Sequence, residues 1–222
     1  MAKFVVFDMD GVLADTEPLH RESCRALLEK LRLDAAAILP KAYARSKREF
    51  WGEVARENGL LYTADELTRW EFDLLIEIVK KSGLRPTAGL CETLQKLRGA
   101  GYTLAVASSS DRVYVQAILE MTGLKEYFSA VACGNDVAAA KPAPDVYLRA
   151  LELCGAKAEQ AIAVEDSDTG ISAAKAAGLY CIGYDAVSDE KFRQKFTFAD
   201  AVVHDMREVF LLIAAHFEEK KT

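Results

Sequence analysis

The 222-residue chain has no long hydrophobic run: its first apolar stretch, Phe4 to Phe7, is broken at once by Asp8. A membrane-spanning helix needs roughly 20 apolar residues. The same interruption stops the apolar middle region of a secretory leader from developing, so a cytoplasmic protein with no membrane partner is expected. Cysteine chemistry is equally sparse. Cys24, Cys91, Cys133, Cys154 and Cys181 are odd in number, widely spaced and without a C-x-x-C pair, which argues against a zinc site or a disulfide framework and for free, mostly buried thiols. Positive charge is in deficit, with 28 Lys and Arg against 34 Asp and Glu for a net −6. That sign repels nucleic acid and anionic membranes and leaves a small molecule as the expected partner. Internal repeats and low-complexity tracts are absent as well. What remains is ordinary for a globular fold, 51% hydrophobic and 28% charged residues, long enough for one large domain or a core with a smaller insertion.

The chain opens with Lys3-Phe4-Val5-Val6-Phe7, a β-branched and aromatic run that stops at an acidic, glycine-containing turn and reads as a fully buried strand. Short apolar runs recur at Tyr102 to Ala107, Ala130 to Cys133, Ala161 to Val164 and Tyr180 to Tyr184. All but the last lead through a polar or glycine-containing loop into a helical stretch. The alternation predicts an α/β fold, a Rossmann-like parallel sheet with helices on both faces. Asp111 suits the cap of a helix through Met121, and Thr169 or Asp168 that of a helix over Ile171 to Ala177. Residues 16–86 break the rhythm with helical stretches at Leu19–Leu31, Ser46–Asn58 and Ala64–Ser82 and no convincing strand. The last of these has apolar positions at Leu67, Trp70, Leu74, Leu75, Ile78 and Val79, a spacing that predicts one buried face; Trp51 and Trp70 are expected in the core of this block. The organisation expected is therefore a core from residues 1–15 and 87–222 with an inserted all-helical cap at 16–86. The charged end from Glu218 to Thr222 is expected to fray.

Asp8 and Asp10 lie just beyond the first strand, and continued extended geometry would lean both side chains to one side. The carboxyl ends of strands in an open parallel sheet are also where ligands bind. The full run from Phe7 to Glu17, Phe-Asp-Met-Asp-Gly-Val-Leu-Ala-Asp-Thr-Glu, is far more specific than a bare pair of aspartates. Ser108 ends the second apolar run, Lys141 opens Lys-Pro-Ala-Pro-Asp, and Glu165-Asp166 follow the fourth run. On these motifs, in this order, the chain resembles the haloacid dehalogenase superfamily, and within it the small-helical-cap subgroup that contains sugar-phosphate phosphatases and β-phosphoglucomutase.

The resemblance implies an aspartyl-phosphate formed on Asp8, with Asp10 as general acid and then general base. It implies that Ser108, with Ser109 beside it, and Lys141 bind the transferring phosphoryl group. Glu165 and Asp166, with Asp8 and the backbone carbonyl of Asp10, are implied as the holders of a magnesium ion. The charge balance agrees, because a carboxylate attacking a phosphate dianion meets a repulsion of about 4 kcal/mol at ~4 Å for an effective dielectric of about 20. A hard, oxygen-liganded cation and the Lys141 ammonium would cancel it.

The inserted helices are expected to cover the site and carry specificity. Thr16 and His20 match family positions at the junction of core and cap, and Arg48 is placed as a substrate arginine, although the glycine that precedes this Arg–Glu pair in many relatives is missing. Lys41, Arg45, Lys47 and Arg48 form a basic cluster before Phe50-Trp51 that either faces an anionic substrate or is a solvated helix face. The activity expected is Mg²⁺-dependent hydrolysis of a small phosphorylated metabolite by a monomer. A β-phosphoglucomutase-like phosphomutase is the alternative, and a non-catalytic metabolite-binding protein is a third reading.

Overall fold

The computed structural model describes residues 3–42, 46–186 and 194–219. The chain forms two compact units, Met1–Asp15 with Leu84–Thr222, and Thr16–Gly83. The first unit holds a six-stranded sheet of β1 (Phe4–Phe7), β2 (Thr103–Ala107), β3 (Ala130–Ala132), β4 (Ala161–Glu165), β5 (Tyr180–Tyr184) and β6 (Ala201–Val203), in the order β3-β2-β1-β4-β5-β6. Every pairing is parallel. Phe7 is level with Val106 of β2 on one side and Val164 of β4 on the other. The chain runs outward from β1 through β2 to β3, then crosses to β4 and runs outward the other way. The strand order therefore reverses around β1, which puts a crevice at the carboxyl ends of β1, β2 and β4.

Side chains alternate faces along a strand, so a sheet covered on one face only would leave every second residue exposed. Instead Phe4 and Val6, Ala105 and Ala107, Ala161 and Ala163 pack on one face with Tyr147, Ala150, Ile171 and Ala174. The opposite set, Val5, Phe7, Leu104, Val106, Ile162 and Val164, is buried as well. The first group of helical residues comes from α7 (Asp145–Cys154) and α8 (Asp168–Ala176). On the other face α5 (Leu90–Gly99) packs against β2 and against α9 (Met206–Glu219), and the Thr93 hydroxyl donates to the Met206 carbonyl at 2.9 Å. Each large aliphatic or aromatic side chain buried in this way stabilises the fold by about 1.5–3 kcal/mol. Between β2 and β3 lies α6 (Arg112–Met121), where Asp111 caps as expected by accepting from the Val113 N–H at 2.9 Å. The cap of α8 is Ser167, one residue before the two expected, and it accepts from the Gly170 N–H at 3.1 Å.

Among its described residues the second unit contains helices and no strand: α1 (Glu17–Lys30), α2 (Ala35–Ile38) running into a 3-10 turn at Leu39–Ala42, α3 (Lys47–Glu57) and α4 (Ala64–Ser82). Capping boxes start α3 at Ser46 with Glu49 and α4 at Thr63 with Glu66. Its core joins Cys24, Leu27, Leu28, Phe50, Trp51, Val54 and Leu67. The expected buried face of α4 holds at Leu67, Leu75 and Val79 and fails at Trp70. Trp70 is 39% exposed and stacks edge-on with Tyr62 at 4.8 Å instead of entering the core. The buried line of α4 is Leu67, Glu71, Leu75 and Val79, with a carboxylate in it. Glu71 is tolerated there because Trp51 Nε1 donates to it at 2.6 Å, Lys47 Nζ at 2.5 Å and Ser23 Oγ at 3.1 Å; a buried charge without such partners would cost several kcal/mol.

Among the described residues no helix is long and apolar enough to cross a membrane. The cysteines are free thiols, with Cys24, Cys133 and Cys181 buried and Cys91 exposed. Of the expected frayed end, 220–222 lie outside the described residues, whereas Glu218 is helical.

Candidate active site

The site begins where β1, β2 and β4 stop. Asp8 follows β1 directly, and its N–H donates to the Val164 carbonyl at 2.9 Å, so the parallel ladder carries one residue past the strand and fixes the Asp8 backbone. Glu165 is the last residue of β4 and Asp166 the next. Carboxylate oxygens of Asp8, Glu165 and Asp166 all lie within 4.8 Å of one another. Lys141 reaches this group from the loop before α7: Nζ donates to Asp8 Oδ1 and Glu165 Oε1, each at 2.5 Å, and to the Ala107 carbonyl at 3.0 Å. The sheet thus brings together four of the residues singled out in the sequence, drawn from three separate motifs. Ser108 sits fully buried at the end of β2, its hydroxyl oxygen accepting from the Ser110 N–H at 3.1 Å, while Ser109 is exposed on the same loop.

Two glycines make the close approach of these carboxylates possible. Gly11 has φ +80°, and a Cβ there would stand 1.9 Å from Asp166 Oδ2. A Cβ on Gly170 would stand 1.9 Å from Glu165 Oε1. The first turn of α8 therefore folds tightly over Glu165, whose Oε2 accepts from Ser167 Oγ at 3.3 Å and the Asp166 N–H at 3.2 Å. Its Oε1 also accepts from the Tyr147 hydroxyl at 2.8 Å.

Electrostatics follow from burial. Loss of water pushes the Asp8 carboxyl up to about 8, with repulsion from Glu165 and Asp10 adding to the shift; attraction to Lys141 opposes it without prevailing. Asp166 is raised well above the ordinary range for the same reason, its largest neighbouring contribution coming from Asp8. Burial works against the charge of Lys141, but Asp8 and Glu165 outweigh it and hold the ammonium well above its usual range. A single ammonium thus faces three crowded carboxyl groups. Donors that are all carboxylate oxygens fit a hard divalent cation such as Mg²⁺ or Ca²⁺ and fit a soft metal poorly.

Asp10 stands apart from the acidic triplet. Its Oδ1 accepts from the Tyr114 hydroxyl at 3.1 Å and its Oδ2 from Ser110 Oγ at 3.0 Å. Among the residues of the helical unit, Thr16 is buried ahead of α1 and His20 is half-buried on α1. Arg48 Nε pairs with Asp65 at 2.9 Å, Lys41 with Glu57 at 2.8 Å and Lys47 with the buried Glu71. The described cations of the basic cluster therefore all have carboxylate partners; Arg45 lies outside the described residues.

Ser110, Tyr114 and Tyr147 were not singled out from the sequence. A signal for the tyrosines existed: each lies in the buried stripe of an amphipathic helix just after a motif, and a buried phenol requires a hydrogen-bond partner.

A family model of haloacid dehalogenase-like hydrolases matches residues 2–178. The chain is 32% identical over 188 residues to protein CbbY of Rhodobacter capsulatus, covering 80% of this chain and 82% of that protein. It is 30% identical over 201 residues to the fructose-1-phosphate phosphatase YqaB of Escherichia coli K12, covering 79% and 92%. The crystal structure of a putative β-phosphoglucomutase from Thermotoga maritima superposes with a TM-score of 0.80 at 25% identity, covering 96% of this chain and 99% of that one. The chain belongs to the haloacid dehalogenase-like hydrolase family.

Proposed function

We propose that the chain is a Mg²⁺-dependent phosphatase of small phosphorylated metabolites, sugar phosphates foremost, that works as a cytoplasmic monomer through an aspartyl-phosphate on Asp8. The observation that carries this reading is the convergence of Asp8, Lys141, Glu165 and Asp166 at the strand ends. Similarity to a fructose-1-phosphate phosphatase supports the substrate class.

Hydrolysis then takes two displacements at phosphorus. An Asp8 oxygen bonds to phosphorus, the ester P–O bond breaks with its electron pair on the departing oxygen, and Asp10 gives that oxygen a proton. Asp10 next takes a proton from water as the water oxygen bonds to phosphorus. The bond from phosphorus to Asp8 breaks, returning the carboxylate and releasing inorganic phosphate. Lys141 keeps positive charge beside the nucleophile in both steps, and the Ser108 hydroxyl and the neighbouring Ser109 serve as donors to the phosphoryl oxygens. Asp8, the Asp10 carbonyl, Glu165 and Asp166 would hold Mg²⁺, which supplies neutralisation of the phosphate charge when bound. Thr16, His20 and Arg48 serve substrate recognition, a role that for Arg48 competes with its ion pair to Asp65.

A panel of sugar, nucleotide and organic-acid phosphates, assayed with Mg²⁺ and with chelator, tests the proposal. Phosphate release from a sugar phosphate, lost in chelator, is expected; a panel without turnover overturns it. Likeness to the putative β-phosphoglucomutase favours a second reading, phosphoryl return to another hydroxyl of a sugar. Bisphosphate-primed isomerisation of a hexose phosphate faster than its hydrolysis would establish that reading instead.

Gly11→Ala supplies an independent check on the cation. Its Cβ would displace the Asp166 carboxylate, and its backbone would be strained by about 1 kcal/mol or more. The Mg²⁺ concentration for half-maximal turnover should rise by ~10–100-fold, the usual effect of disturbing a metal ligand's support. An unchanged Mg²⁺ titration would place the ion elsewhere.

A further inference from the structure

The Tyr114 and Ser110 hydroxyls that bond to Asp10 take no part in either displacement at phosphorus. Tyr114 is 1% exposed and sits in the buried stripe of α6 with Val115, Ile118 and Leu119, so its ring cannot swing without unpacking the helix. The first turn of α6 is held in turn by the Asp111 cap. Ser110 lies on the preceding loop, and its own carbonyl accepts from the Gly134 N–H at 2.9 Å. Gly134 approaches so closely that a Cβ there would meet the Ser109 carbonyl oxygen at 2.1 Å. Both hydroxyls therefore belong to a braced loop and helix start, and they reach Asp10 across 104 and 100 residues of chain.

We infer that Tyr114, with Ser110, is a positioning residue for Asp10: the Tyr114 hydroxyl on Oδ1 and the Ser110 hydroxyl on Oδ2 help set the rotamer of the group that exchanges protons with the leaving oxygen and with water. The inference rests on the reading of Asp10 as the acid and base. A hydroxyl suits the task because it donates to a carboxylate and can turn to accept from a carboxylic acid, whereas an ammonium or amide N–H can only donate. The same pair of groups can hold Asp10 before and after it gives up its proton. A carboxyl free to rotate would spend part of its time aimed away from the departing oxygen, and misplacement of this kind weakens catalysis without removing any reacting group.

Leaving-group dependence tests this role. A sugar alkoxide needs a proton as the P–O bond breaks, while 2,4-dinitrophenolate leaves unaided. The measurement is kcat/KM for the best sugar phosphate of the panel and for 2,4-dinitrophenyl phosphate, in the parent, Tyr114→Phe and Ser110→Ala. General acid catalysis is worth ~10²–10⁴-fold, and loss of its positioning should remove part of that. Tyr114→Phe is expected to lower the sugar phosphate value by ~10-fold or more and the dinitrophenyl value by less than ~3-fold, with Ser110→Ala changing the ratio in the same direction. Because both substrates are read on one sample, a smaller folded fraction cancels in the ratio. Equal losses on both substrates, or no loss on either, would overturn this inference alone. A parent without turnover would overturn the phosphatase reading and this inference with it.

Discussion

Asp8→Asn is expected to reduce phosphate release by at least about 10⁴-fold, as removal of a nucleophile does elsewhere, while leaving the protein folded and, in chelator, more stable than the parent. The first half follows from chemistry, since an amide cannot form the aspartyl-phosphate. The second follows from burial. The Asp8 carboxyl is raised to about 8, so the native state holds a proton that the unfolded chain has lost above its ordinary value of 3.8. Stability then falls as pH rises through this interval, and the loss levels off above the native value. Asparagine does not titrate and escapes the penalty. Thermal unfolding in chelator should therefore show a difference in Tm that moves in favour of the variant between about pH 5 and about pH 8. A variant that retains Mg²⁺-dependent turnover would refute the nucleophile assignment. One that melts below the parent at pH 8 would show that attraction to Lys141 outweighs desolvation.

Lys141→Met should damage both stability and activity. Its ammonium is the cation for Glu165, whose side chain is completely buried, and for Asp8, at 2.5 Å from each. Removing one partner of a buried ion pair typically costs ~3–5 kcal/mol, because the other charge is left without compensation. Activity should fall by ~10²–10³-fold or more, the usual loss on removing a preorganised donor from a transition state. Adding Glu165→Gln separates the two effects. The double variant should recover part of the lost stability, since the uncompensated charge is gone, and none of the activity, since the ammonium is still missing. Denaturant unfolding and phosphate release on the same three proteins would measure this. A single variant as stable as the parent would contradict the electrostatic account of the cluster.

Much of the fold was legible because burial patterns are local. Short β-branched runs ending in Asp, Ser or Glu marked β1, β2 and β4 at the sheet centre, and Ala64–Ser82 was readable as one helix to the residue. The strand β6 was not legible: Ala201–Val203 is three residues long at the sheet edge, and Val202 is 43% exposed, too short for either an apolar run or an alternation to register. Trp70 was misassigned, and Glu71 carried no expectation, for a related reason. Periodicity counts apolar residues and cannot anticipate that a carboxylate will be buried by an indole, an ammonium and a hydroxyl from other helices. Lys47 was legible as a cation but not as the partner of Glu71, 24 residues away.

By itself the sequence determined the alternation of strands and helices and the order in which chemically capable residues arrive at strand ends, since both depend on neighbours within a turn or a strand. Only the tertiary structure decided which group meets which. Lys141 meets Asp8 across 133 residues, Glu165 turns to Lys141 and Tyr147, and Asp10 is taken by Ser110 and Tyr114. Those pairings are set by the register of three parallel strands and the packing of α6 and α7 beside them, and no local pattern encodes a distance between residues so far apart in the chain.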